Sequence, residues 1–355
     1  MKVLHVDTEK GFRGGEQQLL WLAEGLAQKG IDTAVACIED KLYLRCSEAG
    51  IKTIKLSKSR VKNIKKLIKI SDDFDIIHAH TSNAHTICAL AKIFKNKPLI
   101  YTRRVDYKPK GDPITKFKYK ITDKIICVAR YVCEVLRHTI GIEELVVIHS
   151  STNPLLEKMV DPEKVRNIKN QFKPLKIIGT ATALTTQKNI PNLIEAAEIV
   201  LKRRSDVVFL VVGEGALKDK IRELIERKKM AEKFKLIGFK KDIENYIKAF
   251  DLFVLPSDFE GLSGAVLNAM LLKIPVVSTD AGGLSEVVFD KETGILVQRN
   301  NPEILAKAIE TVLEDKDLRK KIVENAYRLV KENFSVDKMV EKYIKLYKEL
   351  LEEKQ

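Results

Sequence analysis

The sequence predicts an α/β protein made of two doubly wound halves. Three observations lead there. Apolar runs of strand length alternate with helical stripes from end to end. Turns of small residues follow several of the strands, as at Gly14-Gly15, Gly213-Glu214-Gly215 and Gly261-Leu262-Ser263-Gly264. A polar stretch over 151–170, with Pro154 and Pro162, separates the halves, and 355 residues suits two domains.

In the first half, Lys2–Val6 reads as a strand. Glu16–Lys29 carries Leu19, Leu20, Leu22, Ala23 and Leu26 at helical spacing, and Gly30 stops it. Thr33–Ile38 and the shorter Ile54–Leu56 read as strands, followed by Ile76–Ala79, Leu99–Thr102, Ile125–Val128 and Leu145–Ile148. Helices over Ala84–Phe94, Ile114–Ile121 and Tyr131–His138 alternate with these. In the second half, strands at Leu175–Gly179, Val207–Val212, Phe234–Ile237 and Ile295–Val297 alternate with helices at Ile190–Arg203, Leu217–Lys228 and Ile243–Ala249. Pro302–Glu314, Lys316–Glu332 and Val336–Glu352 close the chain as helices. The expected domains are 1–165 and 166–335, with 336–355 packing back on the first.

Charge is uneven. Residues 1–150 hold 27 Lys and Arg against 17 Asp and Glu, of 63 and 49 in the whole chain. Between Lys55 and Ile70 there are seven basic residues and no acidic one. A solvated Lys-rich surface is one reading, and attraction to an anionic membrane or anionic acceptor is another. Nucleic acid is not expected, because no aromatic-interleaved or RNA-binding motif accompanies the charge. No apolar run approaches the ~18–20 residues of a membrane span. Met1–Asp7 leads straight into a strand pattern, so no secretory leader is expected. Cys37, Cys46, Cys88, Cys127 and Cys133 form no CxxC pair and read as reduced and cytoplasmic.

The most informative stretch is Asp251–Gly283. An apolar run stops at Asp258-Phe259-Glu260, Gly261, Ser263 and Gly264 open a helix, and a second apolar run ends in Ala281-Gly282-Gly283. This is a βαβ unit. Ligands of open parallel sheets sit beyond the carboxyl ends of the strands. Glu260 is an acceptor for sugar hydroxyls, placed beside helix-start N–H groups that suit phosphate. That combination is the chemical profile of a nucleotide-sugar site.

Other turns carry weaker signals. Gly14-Gly15-Glu16 opens the first helix, where negative charge is favoured by roughly 0.3–1 kcal/mol. It is not G-x-G-x-x-G, which argues against a nicotinamide enzyme. His78-x-His80 places two rings on one strand face, and acceptor lining, a structural role and a metal site are all open. Arg103 and Arg104 follow another strand and can grip phosphate in two-pronged fashion, and Asp106 reads as orienting one of them, with a base in an inverting reaction or a plain N-cap as the alternatives.

Pro256, Ser257, Glu260, Gly261, Ala269, Met270, Pro275, Val276, Val277 and Gly282-Gly283 resemble the donor-site signature of the family-4 retaining glycosyltransferases (glycosyl transferases group 1). These have the GT-B fold. The resemblance implies two Rossmann-like domains facing a central cleft, the second holding the nucleotide sugar and the first the acceptor. Asn268 stands where the family has a ribose-gripping Glu, and Lys273 where it has Gly. Leu184 and Lys188-Asn189 match the family's G-R-L-x-x-x-K-G/N loop, but its Arg is Ala183 here. Gly213, Gly215 and Gly238-Phe239 resemble turns that receive the base.

The residues implied for catalysis are Glu260, Lys188, Arg103 and His80. Those implied for donor binding are Gly14, Gly15, Gly213, Gly215, Phe239, Gly261, Leu262, Ser263, Gly264 and Asn268. The implied activity is retaining transfer from a nucleoside diphosphate sugar to a glycan or lipid-linked acceptor. No metal or other cofactor is expected. The setting is lipopolysaccharide or other cell-surface glycan assembly, in the cytoplasm or peripheral on the inner face of its membrane. A nucleotide-sugar epimerase of the same fold, or a catalytically weakened partner subunit, is the alternative.

Overall fold

A computed structural model describes residues 1–38 and 40–354. The chain forms two compact units, Met1–Ser151 with Val336–Gln355, and Thr152–Ser335. The division falls at 151/152 rather than the expected 165/166, which lies within a helix.

Unit 1 runs β1 (Lys2–Asp7), α1 (Gly14–Gln28), β2 (Asp32–Cys37), α2 (Asp40–Glu48), β3 (Lys52–Lys55), α3 (Arg60–Ile70), β4 (Ile76–Ala79), α4 (Ser82–Phe94), β5 (Leu99–Arg103), α5 (Pro113–Lys120), β6 (Lys124–Cys127), α6 (Arg130–Ile140) and β7 (Leu145–Val147). Unit 2 runs α7 (Leu156–Met159), α8 (Pro162–Asn170), β8 (Lys176–Ala181), α9 (Ile190–Arg203), β9 (Val207–Val212), α10 (Lys218–Arg227), β10 (Phe234–Gly238), α11 (Ile243–Ala249), β11 (Leu252–Leu255), α12 (Gly264–Leu271), β12 (Val276–Thr279), β13 (Ile295–Val297), α13 (Pro302–Glu314) and α14 (Lys316–Asn333). The last helix, α15 (Val336–Glu352), belongs to unit 1.

All strand pairs are parallel. The orders are β3-β2-β1-β4-β5-β6-β7 and β10-β9-β8-β11-β12-β13. Each order reverses direction once, between β1 and β4 and between β8 and β11. A crevice opens at such a switch point because the following loops diverge to opposite faces of the sheet. Strands β9 and β11 are apolar throughout, and β1 from Val3, β4, β9 and β11 are buried, as a sheet covered on both faces requires.

In unit 1, Met339, Val340, Tyr343 and Tyr347 of α15 join Val3, Leu22, Ile76 and Ile100 in one core. Gly25 allows this packing, since a Cβ there would lie inside 3.0 Å of Val340. Unit 2 has its own core, in which α9 and α13 meet over Ile178, Phe209 and Val254.

Two expectations change. The segment 151–170 is not a bare link, because it holds α7 and α8, and α8 opens with Asp161 as its N-cap and Pro162 as its first residue. The cysteines are not all free. Cys127, at the end of β6, is joined to Cys133 in α6, with Cα atoms 5.5 Å apart. Cys37, Cys46 and Cys88 are free and buried.

Candidate active site

Unit 2 concentrates the predicted chemistry at its switch point. Lys188 ends a short 3₁₀ turn (Thr186–Lys188) after β8, and Glu260 follows β11. Their side chains form a direct ion pair, with only 14% and 11% of each exposed. The two loops are stitched together through backbone. The Gln187 carbonyl accepts from Asp258 N–H at 2.9 Å, and the Asn189 amide donates to Asp258 Oδ1 at 2.9 Å. Thr279 Oγ1 donates to the Ser257 carbonyl at 2.5 Å, and Gly283 N–H donates to the Glu260 carbonyl at 3.1 Å. The Glu260 backbone is therefore held from both neighbouring loops.

The start of α12 lies four residues beyond Glu260. Ser263 is its N-cap, yet its hydroxyl makes no capping bond. Among the described residues no side-chain acceptor covers the first-turn N–H groups of α12, the arrangement that receives phosphate. Gly261, Leu262 and Ser263 are buried, so their backbone rather than their side chains borders that position. Asn268 spends its side-chain oxygen internally, accepting from Thr152 Oγ1 at 2.6 Å.

Gly213 and Gly215 have a structural cause. A Cβ at either would run into backbone of Thr182 or Leu184, and Leu184 N–H donates to the Glu214 carbonyl at 3.0 Å. These glycines seat the loop carrying Ala183. Phe239, after β10, is 65% exposed and offers an open aromatic face. Arg299, outside the predicted site, joins it: its Nη1 donates to the Asp258 carbonyl at 2.9 Å. No sequence signal marked it, because it follows β13 outside every motif.

In unit 1 the switch point gathers a different set. Gly14 and Gly15 are the first residues of α1, and Glu16 accepts from Arg13 N–H at 2.7 Å to close the helix start. Arg104 lies beside Gly15, its Cδ 3.5 Å from where a Cβ would be. Its Nη2 donates to His80 Nδ1 at 3.2 Å. Arginine can only donate, so neutral His80 carries its proton on Nε2 and donates it to His5 Nδ1 at 2.9 Å. His5 then carries its own proton on Nε2, which is buried with no partner among the described residues.

His80 is thus no surface group for an acceptor. It is 2% exposed, both nitrogens are engaged, and it orients Arg104. Arg103 also departs from its expected role. It is 1% exposed and donates to the Tyr119 hydroxyl at 3.0 Å and to the Tyr107 carbonyl. Successive residues at a strand end point to opposite sides, so only one of the two arginines can reach the crevice.

His5, His78 and His80 bring ring nitrogens within 4.8 Å of one another, the geometry of a possible metal set. The bonding does not fit one. His78 already meets Tyr347 Oη and Thr102 Oγ1 at 2.7 Å each, and the Arg104 guanidinium would face any cation. Burial first, then neighbouring positive charge, lowers the pKa of His5 to about 3. The same burial holds His78 and His80 well below the usual histidine range. Burial also raises Asp7, at the end of β1, to about 7.

Two Rossmann-like parallel-sheet units with polar groups at both switch points define the GT-B class of glycosyltransferases. Residues 12–154 match the family described as Glycosyltransferase Family 4, and residues 161–329 match Glycosyl transferases group 1. The chain belongs to this family and is a glycosyltransferase. It is 31% identical over 185 residues to the poly(ribitol-phosphate) alpha-N-acetylglucosaminyltransferase of Staphylococcus aureus (strain COL), covering 52% of this chain and 38% of that protein. It is 25% identical over 378 residues to the Escherichia coli UDP-Gal:alpha-D-GlcNAc-diphosphoundecaprenol alpha-1,3-galactosyltransferase, covering 97% of both. The crystal structure of Anabaena HepE in complex with UDP-glucose superposes with a TM-score of 0.89 at 21% identity, covering 98% of this chain and 100% of that one.

Proposed function

We propose that this glycosyltransferase moves a sugar from a uridine diphosphate to a hydroxyl of a glycan or lipid-linked acceptor, with retention at the anomeric carbon, in cell-surface glycan or lipopolysaccharide assembly. The Lys188–Glu260 ion pair beside the uncovered start of α12 carries this reading. An arriving diphosphate competes with the Glu260 carboxylate for the Lys188 ammonium. Lys188 and the first-turn N–H groups then hold phosphate, and freed Glu260 accepts from hydroxyls of the donor sugar.

As the bond from the anomeric carbon to the β-phosphate oxygen breaks, the acceptor oxygen bonds to that carbon on the same face. The acceptor proton passes to the departing phosphate oxygen. No protein base and no metal is then required, and orientation with charge stabilisation carries the catalysis. In unit 1, Arg104 takes the place expected of Arg103 as the group that meets anionic substrate.

The Escherichia coli relative's name specifies UDP-galactose and a diphosphoundecaprenol acceptor, and the HepE crystals hold UDP-glucose. Both support a uridine nucleotide. Among the described residues no helix is long and apolar enough to cross a membrane. Contact with an anionic membrane at the inner face would be peripheral, and it is supported by exposed Ile93 and Phe94 of α4 and Ile114 and Phe117 of α5 beside lysines.

The test is thermal shift with UDP-, GDP-, ADP- and CMP-sugars, followed by transfer in EDTA. A ligand at about 100 times its Kd adds ~2.7 kcal/mol of stability. The anomeric proton coupling of the product reads the stereochemistry. An inverted linkage would refute retention, abolition by EDTA would refute metal independence, and isomerised free nucleotide sugar would favour the epimerase. Donor hydrolysis that is absent, and insensitive to Lys188→Ala, would mark a weakened partner subunit.

A further inference from the structure

A second groove, of about 970 Å³, lies in unit 2 at the opposite end of its sheet. Its walls include Lys176, which starts β8, Asp251 just before β11, and Lys273–Pro275 just before β12. One strand length, roughly 20 Å, separates that end from the Lys188–Glu260 end. The remaining wall is α14.

The groove is strongly cationic. Seven basic and three acidic residues line it. Of the acids, Asp251 is engaged elsewhere, accepting from Ile177 N–H at 2.8 Å and facing Lys169 at 3.7 Å. No ion pair engages Lys316, Arg319, Lys320 or Arg328 among the described residues. Tyr327 is flanked by two ammonium groups, Lys273 at 4.4 Å and Lys331 at 5.2 Å from the ring centroid. Such crowding of like charge is relieved by an anion between them.

Lys273 adds a sequence observation. It stands where the family signature has Gly, and its backbone is left-handed at φ 59°. A side chain there is disfavoured, yet the chain keeps one and aims it into the groove.

The basic residues of α14 run from Lys316 to Lys331, about 22 Å of helix. A single phosphate would meet only a few exposed cations, each a weak, solvent-screened contact. A linear polyanion would engage the whole stripe and release many counterions. Nucleic acid is the poorer fit, since the lysines already cover the Tyr327 ring and leave bases no stacking platform. A flat bilayer cannot enter a concave groove.

We propose that this groove binds a linear phosphate-bearing polymer, the acceptor or product chain, away from its reacting end. The role as acceptor rests on the transferase reading above. Binding of medium-chain polyphosphate to the full chain, followed by fluorescence anisotropy at two salt concentrations, tests it. The Lys320→Glu/Arg328→Glu variant, changed at exposed positions, should lose at least about tenfold in polyphosphate affinity while its thermal shift with UDP-glucose is unchanged. Lys65→Glu/Lys66→Glu, in the other basic run, should bind as the parent does.

Unchanged affinity in the groove variant, or an equal loss in the α3 variant, overturns the proposal. So does tighter groove-dependent binding of duplex DNA or anionic vesicles than of polyphosphate. A chain that binds polyphosphate through the groove but transfers no sugar leaves the groove standing and removes the transferase reading. Transfer without groove-dependent binding does the reverse.

Discussion

Lys188 and Glu260 neutralise each other in a nearly buried pair, so removing one leaves the other uncompensated. Lys188→Ala should lower kcat/KM by about 10²–10³, the loss typical of one charge-assisted donor to a leaving oxyanion. The Lys188→Ala/Glu260→Gln variant should lose less than the product of the single losses, because the two groups share one ligand. Steady-state kinetics over the four proteins decides this, and multiplicative losses would separate the roles. The two neighbouring arginines give a sharper contrast. Arg103→Met should cost about 1–3 kcal/mol of stability by leaving Tyr119 and the Tyr107 carbonyl without their donor. Arg104→Ala should cost less stability than that, since only the long His80 contact loses its donor, and should lower kcat/KM. Urea unfolding beside kinetics would reverse the assignment if Arg104 were the stability residue. The residue types at 103 and 104 were readable as phosphate grips, but which one faces the crevice depends on strand register and on the His80 contact.

At the scale of elements, α15 is held to α1 by a close approach at Gly25. Gly25→Ala should destabilise the chain by about 1–3 kcal/mol through overpacking against Val340, although alanine is the better helix former. Val340→Ala should recover part of that loss, and a Gly25→Ala chain as stable as the parent would show that α15 yields easily. The strands and the closing helices follow from apolar periodicity, and Pro302–Glu314 and Val336–Glu352 have the expected limits. The helices α2, α3, α7 and α8 do not follow from it. In α3 only Asn63 and Leu67 are fully buried, and five basic residues crowd the rest, so charge obscured the stripe. The short α7 has four residues, too few for any period to register.

For the whole molecule, four buried histidines set the acid behaviour. His5, with its pKa near 3, and His78, His80 and His85, all well below the usual value, stay neutral when folded. An unfolded chain protonates them below about pH 6.5, so stability falls as pH drops through that value. Asp7, raised to about 7, acts in the opposite sense by holding a proton that the unfolded chain releases above about pH 4. Four histidines outweigh the one aspartate, so at these groups the unfolded chain binds more protons than the folded chain below about pH 6. Urea midpoints across that range should fall steeply toward acid, and His5→Gln should shallow the slope by one proton. A flat profile would mean that the histidines are not held neutral.

Local pattern by itself determined the alternation of strand and helix, the glycine-lined turns, and the Glu260 and Lys188 motifs, because each is written in residues close together along the chain. Tertiary structure alone decided that Lys188 and Glu260 touch across 72 intervening steps of sequence, that His80 serves Arg104 rather than a ligand, and that cations of α14 meet Lys273 around one groove. Those relations depend on strand order and helix packing, which bring distant residues together and which no local spacing encodes.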